Sequence, residues 1–537
     1  MMGVCEQPPR TRTAATRWAG GPAAGRVIAF ALIVLLAAAL APAQTLSNAQ
    51  VQDLLTRAKL GSSRVGVSVV DVETGRTLVS IRANEGFIPA SNMKLLTSGA
   101  ALAVLGPDFE FRTTLWRRGD RLIIEGAGDP AFADPEILDE MAEQARAAGD
   151  AGPGTIRDVD SFISWIAGHV AAQWSADGAG SARLTEIIVD DRIFDREYVH
   201  PRWPANQLHR WYCAEVGGLT FFANVLRVFV APTGTGEFAV RAEPRADWLP
   251  IEKRLRPARQ GEGTTLDLSR TGPNNTFVLR GSVKSALVKP IEVTTHESSL
   301  IFARLLAERL AALGLSGSAV PSWRLAEATD DLQGHRRALV TVRTPIAKVL
   351  QRCNGDSHNL YAEALIKRIG HEMTNQPGSW ANGAAVIRMQ LRERIGPEAA
   401  ASVTVSDGSG LSRDNIITPS VMTSWLAALS RDSRIAPAFI ASVPLAKEEG
   451  NMVKRFRGRK LLNEVRCKSG YINGVRTLSG YVIHPGTGRL VAFSILVNDI
   501  PPSVPGSRVK EFHEDIVVEI DQWLAAQTRT AAGTPAR

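Results

Sequence analysis

Pro89-Ala90-Ser91-Asn92-Met93-Lys94-Leu95-Leu96-Thr97 opens a mostly apolar run that reaches Leu105 and stops at Gly106-Pro107. Proline in front and Gly-Pro behind bracket a helix. On a helix, positions i and i+3 share a face, so the Ser91 hydroxyl and the Lys94 amine come within reach of each other. A serine hydroxyl is a weak nucleophile and needs an adjacent base. Lysine is that base only when neutral, which calls for desolvation or a nearby positive charge. The helix N-terminus adds backbone N–H groups and partial positive charge beside the oxygen. Taken alone the pattern is weak, because a capping serine followed by a surface lysine reads the same way. Ser507-Arg508-Val509-Lys510 also matches it, but no suitable partner motifs follow that copy.

Working outward, Val65–Val72 (VGVSVVDV) reads as a strand, Glu73-Thr74-Gly75 as a turn and Arg76–Ile81 as its hairpin partner. At the far end, Thr477–His484 and Leu490–Asn498 are strand-like, with Pro485-Gly486-Thr487-Gly488 as the turn between them. A final helix is expected over Val509–Ala526, and a disordered tail over residues 528–537. Helices dominate from Pro345 to Ser430. Hairpins at both ends and helices late in the chain imply one α/β domain built from residues 46–110 and 338–526. Its antiparallel sheet is flanked by helices. Residues 111–337 interrupt it. They are β-rich and Gly/Pro-punctuated, with strand-like Arg121–Glu125, Glu186–Val189, Val225–Val230, Thr276–Leu279 and Ala338–Val342, and a helical Ile156–Trp174. The simplest reading is a large inserted β-rich domain carrying a nested third domain.

Two more short motifs follow the first in chain order. Ser357-His358-Asn359 opens the helical NLYAEALIKRIG. A hydroxyl and an amide two residues apart can point into one cleft, the first to relay a proton and the second to hold a carbonyl. Lys468-Ser469-Gly470 stands just before a turn and a strand. Its lysine offers charge for a carboxylate or for lowering a neighbour's pKa. Its hydroxyl can bond the same carboxylate, and glycine lets substrate backbone lie close. Strand alternation sends Cys467 to the face opposite Lys468, which favours a buried structural thiol.

The order SxxK, SxN, KSG is that of penicillin-binding proteins and class A β-lactamases. The chain resembles that superfamily. It is most similar to the D-alanyl-D-alanine carboxypeptidase/endopeptidases of low-molecular-mass class C, peptidase family S13, which carry a large insertion between SxxK and SxN. Supporting stretches are PASNMKLLT (89–97), GAGDP (126–130), Asp191 with Trp211-Tyr212, NLYAEAL (359–365), SDGSGLSR (406–413) and LSGYV (478–482). The resemblance implies a penicillin-binding transpeptidase-like fold. It implies an acyl-enzyme peptidase for peptidoglycan stem peptides, inhibited by β-lactams and needing no cofactor. Ser91, Lys94, Ser357, Asn359 and Lys468 would be catalytic. Ser469, Gly470 and Tyr471 would bind substrate, and the N–H groups of Ser91 and Tyr471 would hold the oxyanion. Four positions depart from the family pattern. His358 replaces the usual Asp, KSG replaces KTG, Tyr471 stands where a small hydroxyl residue is common, and Gly450-Asn451-Met452 replaces GTL. Through Tyr471 and Asn451, a penicillin-binding scaffold protein that has lost turnover is the alternative. A β-lactamase or esterase is less compatible with the large insertion.

Arg10, Arg12, Arg17 and Arg26 precede an apolar stretch, Val27–Leu40, and then Ala41-Pro42-Ala43. Basic region, short apolar core and small-x-small site make residues 1–43 a signal peptide, and so imply the periplasm. The 537 residues are 45% hydrophobic and 22% charged, ordinary for globular domains with a large core. A net charge of +8 allows attraction to an anionic polymer, or peripheral association with the inner membrane. It does not point to nucleic acid, since no basic run with interleaved aromatics occurs. The scattered histidines and four cysteines lack metal-ligand spacing.

Overall fold

A computed structural model describes residues 46–532 except 151, 153, 177–182, 235 and 273. The expected signal segment, with Cys5, and residues 533–537 of the expected tail lie outside the described residues. The chain begins with helix α1 (Asn48–Ala58), strands β1 (Arg64–Asp71) and β2 (Thr77–Ile81), and helix α2 (Met93–Leu105). It then enters a long excursion. This holds β3 (Glu110–Arg118), β4 (Arg121–Glu125), α3 (Pro135–Ala147), α4 (Val159–Ser175) and β5 (Glu186–Asp190). β6 (Val225–Pro232), β7 (Phe238–Glu243), β8 (Ile251–Pro257), β9 (Thr265–Thr271), β10 (Thr276–Val283) and β11 (Ile291–Thr294) come next. α5 (Ser298–Ala312), β12 (Ser322–Leu325) and β13 (Arg337–Pro345) close it. The helical part has α6 (Ile346–Gly355), α7 (Asn359–Thr374), α8 (Trp380–Ile395), α9 (Pro419–Arg431) and α10 (Ala436–Ser442). Strands β14 (Glu464–Ile472), β15 (Val475–Ile483) and β16 (Leu490–Asn498) precede the terminal helix α11 (Gly506–Ala532).

The two ends of the chain meet in one antiparallel sheet of order β14-β15-β16-β1-β2. β1 pairs β16 from Arg64↔Asn498 to Asp71↔Val491. On one face, Val67, Val69, Leu478 and Ile495 pack against Val51 and Leu54 of α1 and Phe512, Ile516 and Ile520 of α11. On the other face lie α9 and the Ser91 segment. Ser68 Oγ meets Thr423 Oγ1 at 2.8 Å, and the Tyr481 hydroxyl donates to the Leu426 carbonyl at 2.7 Å. β14 is left as the sheet edge.

The excursion builds a five-stranded sheet of order β12-β5-β4-β3-β13 and two three-stranded sheets, β8-β10-β9 and β11-β6-β7. The strands of the smaller sheets lie in sequence between β5 and β12. β13 pairs along β3 from Arg337↔Arg117 to Pro345↔Glu110, so the strand that starts at the expected junction belongs to the inserted sheet. Helices α3 and α5 were not legible as such in this β-rich stretch. α11 overruns its expected end by six residues, because no proline or glycine interrupts it before Gly533. Among the described residues no helix is long and apolar enough to cross a membrane.

Candidate active site

Pro89-Ala90-Ser91-Asn92 makes a single tight turn before α2, and Ala90 is held at φ +45°. The turn presents Ser91 half-buried, while Lys94 on the first turn of α2 is fully buried. The Lys94 amine lies 3.2 Å from Ser91 Oγ, 2.7 Å from Asn359 Oδ1 and 3.0 Å from the Ser409 carbonyl. Three contacts suit a neutral amine well: two N–H donors go to the carbonyl oxygens, and the lone pair is left for the Ser91 hydroxyl. Burial pulls this amine down to about 8, against the opposing pull of Cys353, Glu363 and Asp407.

Ser357 sits at φ +62° just ahead of α7, a backbone strain that turns its hydroxyl to the Lys468 amine at 2.7 Å. Lys468 is fully buried, and its amine also donates to the Ser469 carbonyl at 2.7 Å. Burial, and then the charge of Lys94, push that amine well below the usual lysine range. Asn359, the first residue of α7, accepts from Lys94 through Oδ1 and donates from Nδ2 to the Tyr212 carbonyl at 2.9 Å. The first and third motifs are tied directly. Asn92 Nδ2 donates to the Lys468 carbonyl at 2.9 Å, and Thr477 Oγ1 donates to the Pro89 carbonyl at 2.8 Å. Gly470 makes this approach possible, since a Cβ there would lie 2.2 Å from Thr477 Oγ1 and 2.9 Å from the Ser91 nitrogen.

The structure therefore brings Ser91, Lys94, Ser357, Asn359 and Lys468 together, with Ser469, Gly470 and Tyr471 continuing along the edge strand. Tyr471 is 62% exposed, with the Arg476 guanidinium 4.4 Å above its ring. Two departures from the family pattern acquire a physical setting. Asn451 Oδ1 accepts a long 3.4 Å bond from Ser469 Oγ, and Met452 backs the buried Cys467 thiol at 3.5 Å. His358 packs against the rings of Trp211 at 5.4 Å and Tyr361 at 5.0 Å. Burial, and then the Arg352 charge, lower its imidazole to about 3, which suits a neutral ring in that aromatic setting.

Sequence reasoning missed Glu363, Asp407 and Ser409. Glu363 on α7 is fully buried, accepts from the Gly408, Ser409 and Trp380 N–H groups at 2.9, 2.8 and 2.8 Å, and so aims the Ser409 carbonyl at Lys94. Asp407 accepts from the Gly410 and Ser412 N–H groups at 2.8 and 2.6 Å, from Asn415 Nδ2 at 2.7 Å and from the Trp203 indole at 3.0 Å. The available signal was spacing: Glu363 falls one helical turn after Asn359, inside the quoted NLYAEAL. Among the described residues, no group of three His, Cys, Asp or Glu is placed to hold a metal.

Residues 47–525 match the D-Ala-D-Ala carboxypeptidase 3 (S13) family. The chain belongs to that family. It is 32% identical over 464 residues to a D-alanyl-D-alanine carboxypeptidase of Actinomadura sp. (strain R39), covering 81% of this chain and 77% of the relative. It is 21% identical over 472 residues to D-alanyl-D-alanine carboxypeptidase DacB of Haemophilus influenzae, covering 84% and 89%. In fold it is similar to the crystal structure of penicillin binding protein 4 (dacB) from Haemophilus influenzae. The TM-score there is 0.68 at 19% identity, covering 88% of this chain and 99% of that one. The S13 chain thus has the expected transpeptidase-like architecture with inserted sheets.

Proposed function

We propose that this S13 carboxypeptidase works through a serine acyl-enzyme on peptidoglycan stem peptides in the periplasm, and that β-lactams trap it. The observation that carries the reading is the dry Lys94 amine in contact with the Ser91 hydroxyl. Lys94 takes the Ser91 proton as Oγ attacks the penultimate D-Ala carbonyl. The Ser91 and Tyr471 N–H groups receive the oxyanion. As the C–N bond breaks, Ser357 passes a proton to the leaving amine, and Lys468 holds the Ser357 hydroxyl in place. Asn359 holds the substrate amide through its remaining N–H. Ser469 and Gly470 line the terminal carboxylate. Water then cleaves the Ser91 ester. A free D-Ala leaving group makes this a carboxypeptidase, and a cross-linked D-amino acid makes it an endopeptidase.

Intact-protein mass spectrometry with a fluorescent penicillin tests the assignment. The unsubstituted chain is expected to gain one adduct and Ser91→Ala none, and equal labelling of both ends the assignment. Labelling without D-Ala release from a pentapeptide or a cross-linked dimer favours the non-turnover scaffold instead.

A further inference from the structure

The Ser409 carbonyl that meets Lys94 belongs to a loop built in an unusual way. Thr404 and Ile416 close the loop at its base, where their backbones pair at 2.9 and 3.0 Å. Between them, every backbone N–H from Ser406 to Ser412 donates to a side chain. Asn415 takes the first two, Glu363 takes Gly408 and Ser409, and Asp407 takes Gly410 and Ser412. Buried backbone donors require such partners, so the shape of the loop follows from where these acceptors are held.

Each carboxylate is in turn aimed by an indole. Trp380 of α8 donates to Glu363 at 2.8 Å, and Trp203 of the excursion donates to Asp407 at 3.0 Å. The two indole rings meet edge to face at 5.9 Å, and the His200 ring stands edge to face on Trp380 at 4.9 Å. His200 Nδ1 accepts from the Arg202 N–H at 3.1 Å, which assigns the ring proton to Nε2, and Nε2 donates to the Ser406 carbonyl at 2.9 Å. All three rings are buried. An indole N–H donates at every pH and brings no charge beside Lys94. The excursion therefore grips the loop twice, at the Ser406 carbonyl and at the Asp407 carboxylate. We propose that Trp203 and His200 are positioning residues of the proposed reaction, which clamp this loop so that the Ser409 carbonyl fixes the Lys94 amine beside Ser91. This rests on the reading of Lys94 as the base. It gives the excursion a part in catalysis although it supplies no group to the reacting atoms.

Burial is the chief influence that draws the Lys94 amine down, and Cys353 of α6, Glu363 of α7 and Asp407 of the loop oppose it. Lys468 of β14 and His358 are the other titratable groups close by. A loosened loop admits water to the amine, so its midpoint should rise toward the ordinary lysine range. NMR titration with isotope-labelled lysine, assigned through Lys94→Arg, reads that midpoint without turnover. Stopped-flow acylation by a fluorescent penicillin on the same preparations reads the consequence. Trp203→Phe keeps a ring and removes the N–H from Asp407, which retains its other donors. It is expected to raise the Lys94 midpoint by about one pH unit and to slow acylation near neutral pH by ~10-fold or more. His200→Phe should act in the same direction, and His200→Gln, whose amide can still donate to Ser406, should recover part of the rate. Glu140→Gln breaks a solvent-side tie between the excursion and α6, Lys348–Glu140 at 2.6 Å, and should change neither reading. Unfolded molecules lower the amplitude of acylation and leave the rate constant of the folded ones alone, which separates lost folding from lost positioning. An unchanged midpoint and rate constant in Trp203→Phe and His200→Phe overturns the proposal, and so does a loss confined to amplitude. A flat acylation profile in the unsubstituted chain instead removes Lys94 as the base, while the NMR midpoint still decides whether Trp203 and His200 hold its amine.

Discussion

Lys94 sets the pH dependence of the proposed reaction. Its buried ammonium lacks water, and the nearby thiol and carboxylates only partly compensate, so the amine titrates near 8. The active form is the neutral one, whose share grows as pH rises. Penicillin acylation is therefore expected to accelerate from about pH 6, level off above about pH 9, and have its midpoint near that of Lys94. Stopped-flow acylation rates across this range check it, and a flat profile counts against Lys94 as the base. Lys94→Arg keeps a long cation but cannot give up its proton. It is expected to slow acylation by on the order of 10²–10⁴-fold, the usual worth of a positioned base.

At the scale of elements, the loop from Ser406 to Arg413 matters as much as the helix that bears the nucleophile. The loop's Gly408-Ser409-Gly410 reads as a tight turn, and a place beside the site is what the resemblance to the S13 family implies for it. What positions it was not legible, since Glu363 in NLYAEAL reads as an exposed helix residue until its three buried donors are seen. Gly410 marks where the loop meets the nucleophile turn. It has φ +84°, and a Cβ there would come within 1.8 Å of the Ala90 carbonyl oxygen, immediately before Ser91. Gly410→Ala incurs about 1–2 kcal/mol of backbone strain and also forces that carbonyl to move. It is expected to lower Tm by several degrees and to cut the acylation rate more than tenfold, because Ser91 shifts relative to Lys94. Thermal melts and acylation rates on the same preparation check this, and a normal rate would show that the turn tolerates displacement.

Across the whole molecule, the terminal sheet was legible nearly strand for strand, because each of its strands is a strong period-2 or buried β-branched run between clear turns. In the excursion α4 and the strands β4, β5, β6 and β10 were legible, but α3 and α5 were not, and neither was the sheet order, since the strands' partners are distant in sequence. Its ties to the helical part are all tertiary and so left no local signal. Asn359 donates to the Tyr212 carbonyl at 2.9 Å, and the Trp203 indole donates to Asp407 at 3.0 Å. Lys367 pairs with Asp195 at 2.6 Å, and the buried Arg352 and Asp134 meet at 3.2 Å. Separating the two parts would also expose the apolar core that Phe132 and Val216 of the excursion share with Tyr361 and Leu365 of α7. The excursion and the catalytic part are therefore expected to unfold together. Three free, buried thiols report on this: Cys213 in the excursion, Cys353 on α6 and Cys467 on β14. Burial pushes each of them up to about 12, so none reacts until its surroundings open. In a Cys5→Ser chain under rising denaturant, maleimide labelling read peptide by peptide should give one common midpoint for all three. Labelling of Cys213 at distinctly lower denaturant would mean that the excursion opens alone, and that its polar ties to the helical part do not bind the two into one cooperative unit.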